Sequence, residues 1–234
     1  YDYPDGSNKF YYPGTMEQWR KITFNYAKDY CWGIGAKCSD GTIVSMGYCG
    51  PYGNANVATY YIADDMCLHI EGVGPVQWMQ YHENSPHWDS YRGEITSVVI
   101  GDQITSIADN AFDYHTKLNS VTVPEGVQRA GGFQKTPALK EIKLPSTLVS
   151  VPSFKGSGLQ AIIIPEGIET IREETFYGCS DLTSVQLPST VETIYARAFS
   201  YCGRLTQINF PQNLKTIYDS AFAYSGSRTA NLPE

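Results

Sequence analysis

Residues 171–188 read IREETFYGCSDLTSVQLP and residues 194–211 read IYARAFSYCGRLTQINFP. The two stretches agree at each apolar place: Ile171 with Ile194, Phe176 with Phe199, Cys179 with Cys202, Leu182 with Leu205, Val185 with Ile208, and Leu187 with Phe210. Both end on proline, Pro188 and Pro211. The closing Val-x-Leu or Ile-x-Phe alternates apolar and polar residues, the period-two mark of a strand buried on one face, and the proline removes a ladder donor and ends it. Self-similarity at a fixed spacing is the signature of a solenoid.

Outward from this pair the same proline recurs at Pro124, Pro145, Pro165, Pro188, Pro211 and Pro233, with Gly101 in its place in the first copy. The successive intervals are 23, 21, 20, 23, 23 and 22 residues. Three and six residues after each marker except the last come Ile104 and Ile107, Val127 and Ala130, Leu148 and Val151, Ile168 and Ile171, Val191 and Ile194, Leu214 and Ile217. A phenylalanine follows in every copy: Phe112, Phe133, Phe154, Phe176, Phe199 and Phe222. It lies five residues after the second apolar site except at Phe133 and Phe154, where it lies three after, so two middle copies are shortened at one place. Leu118, Leu139, Leu159, Leu182 and Leu205 come next, then the strand pairs from Val121 and Val123 to Ile208 and Phe210, with Ile95, Val98 and Ile100 opening the series. One such turn cannot bury its own apolar face. Stacked turns align Leu on Leu and Phe on Phe into one continuous core.

The pattern Ile-x-x-x-Ala-Phe-x-x-Cys-x-x-Leu-x-x-Val-x-Leu-Pro resembles the BspA-like leucine-rich repeats. Upstream, residues 47–74 (GYCGPYGNANVATYYIADDMCLHIEGVG) and 86–112 (PHWDSYRGEITSVVIGDQITSIADNAF) are similar to the segment preceding such arrays in surface proteins of gut Firmicutes, and residues 10–22 (FYYPGTMEQWRKI) to a small accessory module found there. The resemblance implies a mainly β fold with short helical or irregular turns: a right-handed leucine-rich-repeat solenoid over residues 91–234, behind a small β-rich capping region over residues 1–90. It also implies a secreted or cell-surface protein, often an adhesin. His115, Thr136, Ser157 and Ser225 stand where the family has cysteine. Gly131-Gly132-Phe133 and Pro152-Ser153-Phe154 lack the full Ala-Phe turn, so the middle copies are expected to be locally flattened or irregular. The chain starts at Tyr1 without methionine and stops part-way through the pattern, which reads as an excised or processed piece.

Before Ser90 the character changes. Trp19, Trp32, Trp78 and Trp88, eleven of the 18 tyrosines and four of the six cysteines lie there. Apolar alternation in residues 57–62 and 67–70 predicts a small β unit whose structural duty is to cover the open first rung. The functional alternative is that the clustered aromatics form a platform on which carbohydrate or protein stacks.

Composition narrows the function classes. With 42% hydrophobic and 18% charged residues the chain is a soluble globular one rather than disordered. A net charge of -7 argues against nucleic acid as a partner, since phosphate neutralisation needs an excess of lysine and arginine. No run approaches the roughly 18 to 20 apolar residues of a membrane-spanning helix. Cys31, Cys38, Cys49 and Cys67 allow three disulfide pairings, favoured by an extracellular setting. Cys179 and Cys202, one repeat apart, stand at a spacing compatible with a disulfide or with stacked buried thiols, the thiols being the favoured reading. A nucleophilic Cys31 would need His69, His82 or His87 beside it and carries no protease signature. The Cys31 and Cys38 spacing does not suit zinc, and Asp64-Asp65 lacks the alternating ligands of a calcium loop. There is no phosphate-binding glycine loop, and the glycines of Gly131-Gly132 and Gly156-x-Gly158 serve repeat turns. No catalytic residues, metal or cofactor are expected.

Binding is expected on the outward-pointing residues of the strands: Ser120 and Thr122, Glu141 and Lys143, Ala161 and Ile163, Ser184 and Gln186, Gln207 and Asn209. They form a platform about 20 Å across. Tyr114, Tyr201 and Tyr224 share a second position, and Tyr195 and Tyr218 a third. The sequence therefore points to a non-catalytic interaction or adhesion module whose partner is a protein of a host or neighbouring-cell surface. Carbohydrate bound by the N-terminal aromatics is the alternative, and a cysteine-dependent enzyme the third reading.

Overall fold

The computed structural model describes residues 9–21, 35–49, 58–77 and 88–226. The chain enters through β1 (Lys9–Tyr11) and the five-residue helix α1 (Met16–Arg20). Thr15 caps α1: its side chain accepts from the Gln18 N–H while the Gln18 side chain accepts from the Thr15 N–H, so two of the orphan donors at the helix start are satisfied. A helix this short does not stand alone in water. It is held by Trp19, buried against Ala36, Cys38 and Ile43.

Strands β2 (Gly35–Cys38), β3 (Gly41–Tyr48), β4 (Thr59–Ala63) and β5 (Cys67–Glu71) form an antiparallel meander, with β1 parallel along β2. The sheet then changes direction. After β6 (Gly74–Val76) the chain returns as β7 (Ser97–Ile100) and β8 (Ile104–Ile107); β5 pairs in parallel with β7, Leu68 opposite Val98, and β6 pairs in parallel with β8. Residues 67–76 are thus a solenoid rung ahead of the first copy visible in the sequence, and the meander covers its outer face. With β9 (Ser120–Thr122) the row becomes a seven-stranded sheet in the order β1-β2-β3-β4-β5-β7-β9.

In the array each regular copy offers two short strands, one before the proline and one after. The second row begins β6-β8-β10, with β10 at Arg129–Ala130. Further along, β11 (Ala161–Ile163), β13 (Ser184–Gln186) and β15 (Gln207–Ile208) form one three-stranded parallel sheet, and β12 (Thr170–Ile171), β14 (Thr193–Ile194) and β16 (Thr216–Ile217) another. Each parallel pair between successive copies joins residues 23 apart: Ser97 with Ser120, Ser106 with Arg129, Ala161 with Ser184, Thr170 with Thr193, Ser184 with Gln207 and Thr193 with Thr216. The stacked repeats of mainly β character are as the sequence predicts.

The core is a column of rings. Centroids lie 5.2 Å apart from Phe112 to Phe133, then 5.5, 5.6, 5.1 and 5.1 Å through Phe154, Phe176, Phe199 and Phe222, with interplanar angles of 22° or less. Trp88 stands on top of it, 6.1 Å from Phe112, and its indole N–H donates to the Ala111 carbonyl at 3.0 Å. The residue two after each phenylalanine has positive φ: Tyr114, Lys135, Gly156, Gly178, Tyr201 and Tyr224, at 55° to 71°. This sharp turn lets successive rings stack instead of spiralling away.

The cysteine framework differs from expectation. Cys38, Cys49 and Cys67 are free buried thiols, while Cys31 lies outside the described residues. The sheet order explains part of this: Cys38 on β2 and Cys67 on β5 have β3 and β4 between them. Three strand spacings are about 14 Å, far beyond the roughly 7 Å that a disulfide spans. Cys179 and Cys202 are buried thiols as expected, donating to the Phe154 and Phe176 carbonyls at 3.0 and 3.1 Å.

Candidate functional site

The hydrogen-bonded rows stop at the shortened copies. Ser120 to Glu141 is 21 residues and Glu141 to Ala161 is 20, against the 23 that separates the paired copies of the array. Residues 141–144 form no backbone hydrogen bond, as donor or acceptor, among the described residues. Between Arg129–Ala130 and Ala161–Ile163 there is no strand at all. Missing two or three residues, this rung cannot match the register of its neighbours, and one open edge each of β9 and β11 faces it. This is the irregularity expected of the middle copies.

A groove of about 770 Å³ lies along this gap on the strand face. Its floor is apolar, made by Val121, Ile142, Leu144 and Ile162, and Ser120, Glu141, Lys143, Ala161 and Ile163 stand around it. Half of the ten residues expected to bind are thus brought together. Ile163 is 66% exposed, the most of any exposed valine, leucine or isoleucine among the described residues. Thr122, Ser184, Gln186, Gln207 and Asn209 lie outside the groove; Ser184 is half-buried and the others exposed. Asn209 serves the backbone: its side-chain amide donates to the Leu187 carbonyl at 2.8 Å and accepts from the Leu187 N–H at 2.7 Å, continuing the ladder past the end of β15. At the groove mouth the Glu125 carboxylate accepts from both the N–H and the hydroxyl of Ser146, at 3.0 and 2.8 Å, tying one copy to the next.

A second depression, a polar notch of about 240 Å³, sits where the same copies lost residues. Two residues separate Ala130 from Phe133 and Val151 from Phe154, where four separate Ile107 from Phe112 and Ile171 from Phe176. The full turns on either side stand up as walls, carrying Asp109 and Asn110 on one and Arg172 and Glu173 on the other, above a floor of Gly131, Gly132, Pro152 and Ser153. Glu173 is paired with Arg197 at 2.8 Å. Asp113 beneath Gly132 is buried, its carboxylate accepts from the Gln134 N–H at 2.8 Å, and burial pushes its pKa up. Arg129 and Arg172 have no ion pair among the described residues, although both line the notch. The shortening is legible in the sequence; the notch it opens needs the stacked neighbours to be seen.

The aromatic platform fares differently. Trp19 and Trp88 are buried, 5% and 0% exposed, and offer no stacking face. Trp32 and Trp78 lie outside the described residues. His69 stacks on Tyr61 with the rings 4.3 Å apart, and the Arg20 guanidinium lies 4.0 Å from the centre of the Tyr61 ring. Burial first, and Arg20 second, lower the His69 pKa. Cys31, His82 and His87 lie outside the described residues, so the cysteine-enzyme arrangement does too. Among the described residues no cluster of three or more potential metal ligands occurs, and no helix is long and apolar enough to cross a membrane. The tyrosine rows stack in part: Tyr195 on Tyr218 at 5.0 Å and Tyr201 on Tyr224 at 4.8 Å.

The family profile described as BspA type leucine rich repeat region (6 copies) matches residues 90–153 and 149–234. No curated protein sequence matches. Among solved structures, a leucine-rich repeat protein from Eubacterium ventriosum is similar at 21% identity over 73% of this chain and 62% of its own, with a TM-score of 0.49. A leucine-rich cell surface protein from Faecalibacterium prausnitzii is similar at 23% identity over 86% of this chain and 47% of its own, with a TM-score of 0.49. A leucine-rich repeat protein from Bacteroides ovatus is similar at 23% identity over 73% of this chain and 56% of its own, with a TM-score of 0.47. The chain spans less than two thirds of the length of each.

Proposed function

The chain belongs to the BspA type leucine-rich repeat family, and on that premise we propose that it is an interaction module displayed outside the cell, holding an extended segment of a partner protein in the groove at the broken rung. One observation carries this reading: residues 141–144 leave four N–H and four C=O groups without a backbone partner among the described residues, beside an apolar-floored groove. Backbone polar groups left open in this way are satisfied by water or by a ligand, and an extended peptide supplies the matching row while its alternate side chains reach the floor. Ile163 provides the exposed apolar contact, and Glu141 and Lys143 offer one charge of each sign to set direction. The exposed ladder residues beyond the groove, Gln186 and Gln207, extend the surface along the stack. The -7 net charge favours partners with basic segments.

The test is selection of a phage-displayed random peptide library on the immobilised protein, followed by titration of the enriched peptides. Enriched peptides are expected to bind at least tenfold more weakly to Ile163→Asp, which removes apolar contact and adds charge, and equally well to Gln207→Ala outside the groove. No enrichment, or binding indifferent to Ile163→Asp, would reject the groove as the site. With Trp19 and Trp88 in the core, no tryptophan face among the described residues favours the N-terminal aromatics as a carbohydrate platform.

A further inference from the structure

We propose that the polar notch over the shortened turns binds a single acidic sugar unit, a pyranose carrying one carboxylate, gripped through that carboxylate by Arg129 and Arg172. This stands independently of the reading of the strand face.

Size comes first. At about 240 Å³ the notch is below the roughly 300 Å³ at which pockets for drug-sized molecules begin, so its occupant is one small ring or a short side chain. Charge comes second. Glu173 on its wall is already engaged by Arg197, and Asp113 beneath its floor by the Gln134 N–H. The two arginines lining it are not engaged by any acid among the described residues. A guanidinium presents paired donors in a plane that matches a carboxylate, which makes two unengaged ones in one small depression a carboxylate-binding arrangement.

The remaining lining separates a sugar acid from a bare anion. Asn110, Gln134, Ser150 and Ser153 supply mixed donors and acceptors for ring hydroxyls, which a bare anion does not use. Ala130, Val151 and Pro152 give a small apolar patch for the C–H face of a ring. A polyanionic chain is disfavoured, because beyond the notch it meets a molecule of net charge -7. A single acidic sugar unit meets the local charges of the notch, where Glu173 is paired with Arg197 and the two arginines have no ion pair among the described residues.

Glycine suits the floor. A Cβ at Gly132 would lie 2.7 Å from the Asp113 carboxylate oxygen, and one at Gly131, where φ is +75°, 3.1 Å from the Ala111 and Ile107 side chains, so a side chain at either place would be strained. The notch is therefore a consequence of where the repeat was shortened and of which residues fill the shortened turn.

The experiment is calorimetric titration of the whole protein with glucuronic acid, glucose and acetate as probes. Glucuronic acid is expected to bind at least tenfold more tightly than either of the others, since glucose lacks the carboxylate and acetate the hydroxyls. Arg129→Gln and Arg172→Gln are each expected to weaken glucuronic acid at least tenfold with the thermal unfolding midpoint unchanged, and Ile163→Asp to leave it untouched. Equal binding of glucose or acetate, indifference to both arginine substitutions, or no binding of glucuronic acid would overturn the proposal. Loss of peptide binding in Ile163→Asp alone bears on the strand face and not on the notch.

Discussion

His115 occupies the place that Cys179 and Cys202 hold in later copies, three residues after the ring of its turn. It is fully buried; its Nδ1 lies 3.1 Å from the Asp113 carbonyl and donates to it, and its Nε2 has no hydrogen-bond partner among the described residues. Burial is the main cause of a pKa below the ordinary value, with the Asp113 carbonyl and Asp89 pulling upward and Arg92 downward. The folded protein thus disfavours the protonated ring. Above the unfolded value of about 6.5 both states are neutral and nothing is lost; as the pH falls below it the unfolded chain takes up a proton that the folded chain refuses, so stability falls toward the folded pKa. Urea unfolding at pH 7.0 and pH 5.5 is expected to show a larger acid loss in the wild type than in His115→Cys. Equal losses would mean that His115 charges freely in the fold. At this scale much was legible: every phenylalanine of the column could be named from spacing. Trp88 could not, although it lies 24 residues before Phe112, close to one repeat, because no proline marker and no second copy surround it.

Between elements, what matters is how closely one turn approaches the next. Two tripeptides alternate after the strands: Pro124-Glu125-Gly126 and Pro165-Glu166-Gly167 are each followed one copy later by Pro145-Ser146-Thr147 and Pro188-Ser189-Thr190. In both cases the glutamate accepts from the serine N–H and hydroxyl, and the glycine N–H donates to the threonine hydroxyl. Copies are thus tied in twos by local polar groups. At Gly158 the approach is closest: its N–H donates to the Thr136 carbonyl at 3.1 Å, and a Cβ there would overlap the Pro137 carbonyl oxygen, which as backbone cannot swing aside. Gly158→Ala is expected to cost at least about 2 kcal/mol in urea unfolding, more than the entropic gain of under about 1 kcal/mol that alanine brings through the unfolded chain. A stable variant would mean that these turns have slack. The strands themselves were legible from alternation, yet Glu141-Ile142-Lys143-Leu144 alternates as cleanly as any of them and is no strand. Pattern reports which face is buried; pairing depends on the distance to the neighbouring copies, and 21 and 20 residues do not reach the register that 23 does.

For the molecule as a whole, the N-terminal meander is joined to the stack through one strand. β5 pairs with β4 on one side and β7 on the other, burying Leu68 and Ile70. A variant lacking residues 1–66 would bare that edge and the apolar rung behind it, the combination through which sheets associate edge to edge. It is expected to self-associate in sedimentation velocity at concentrations where the full chain does not; a monomer with an unchanged unfolding midpoint would show that residues 67–76 close the array unaided. This region was the least legible. Its cysteines suggested cross-links because an extracellular setting favours them, but composition carries no information on strand order, and strand order keeps Cys38 and Cys67 apart.

The column of rings crosses the broken rung with spacings of 5.5 and 5.6 Å, hardly wider than elsewhere, while both rows of paired strands are cut there. Flat faces slide and rotate over one another far more readily than they separate, since dispersion contact survives a small turn but not a gap. At the level that carries both depressions, adjoining turns are therefore held by stacked ring faces and by turn bonds such as Phe133 N–H to the Ser153 carbonyl and Lys135 N–H to the Lys155 carbonyl, with no strand ladder beside them.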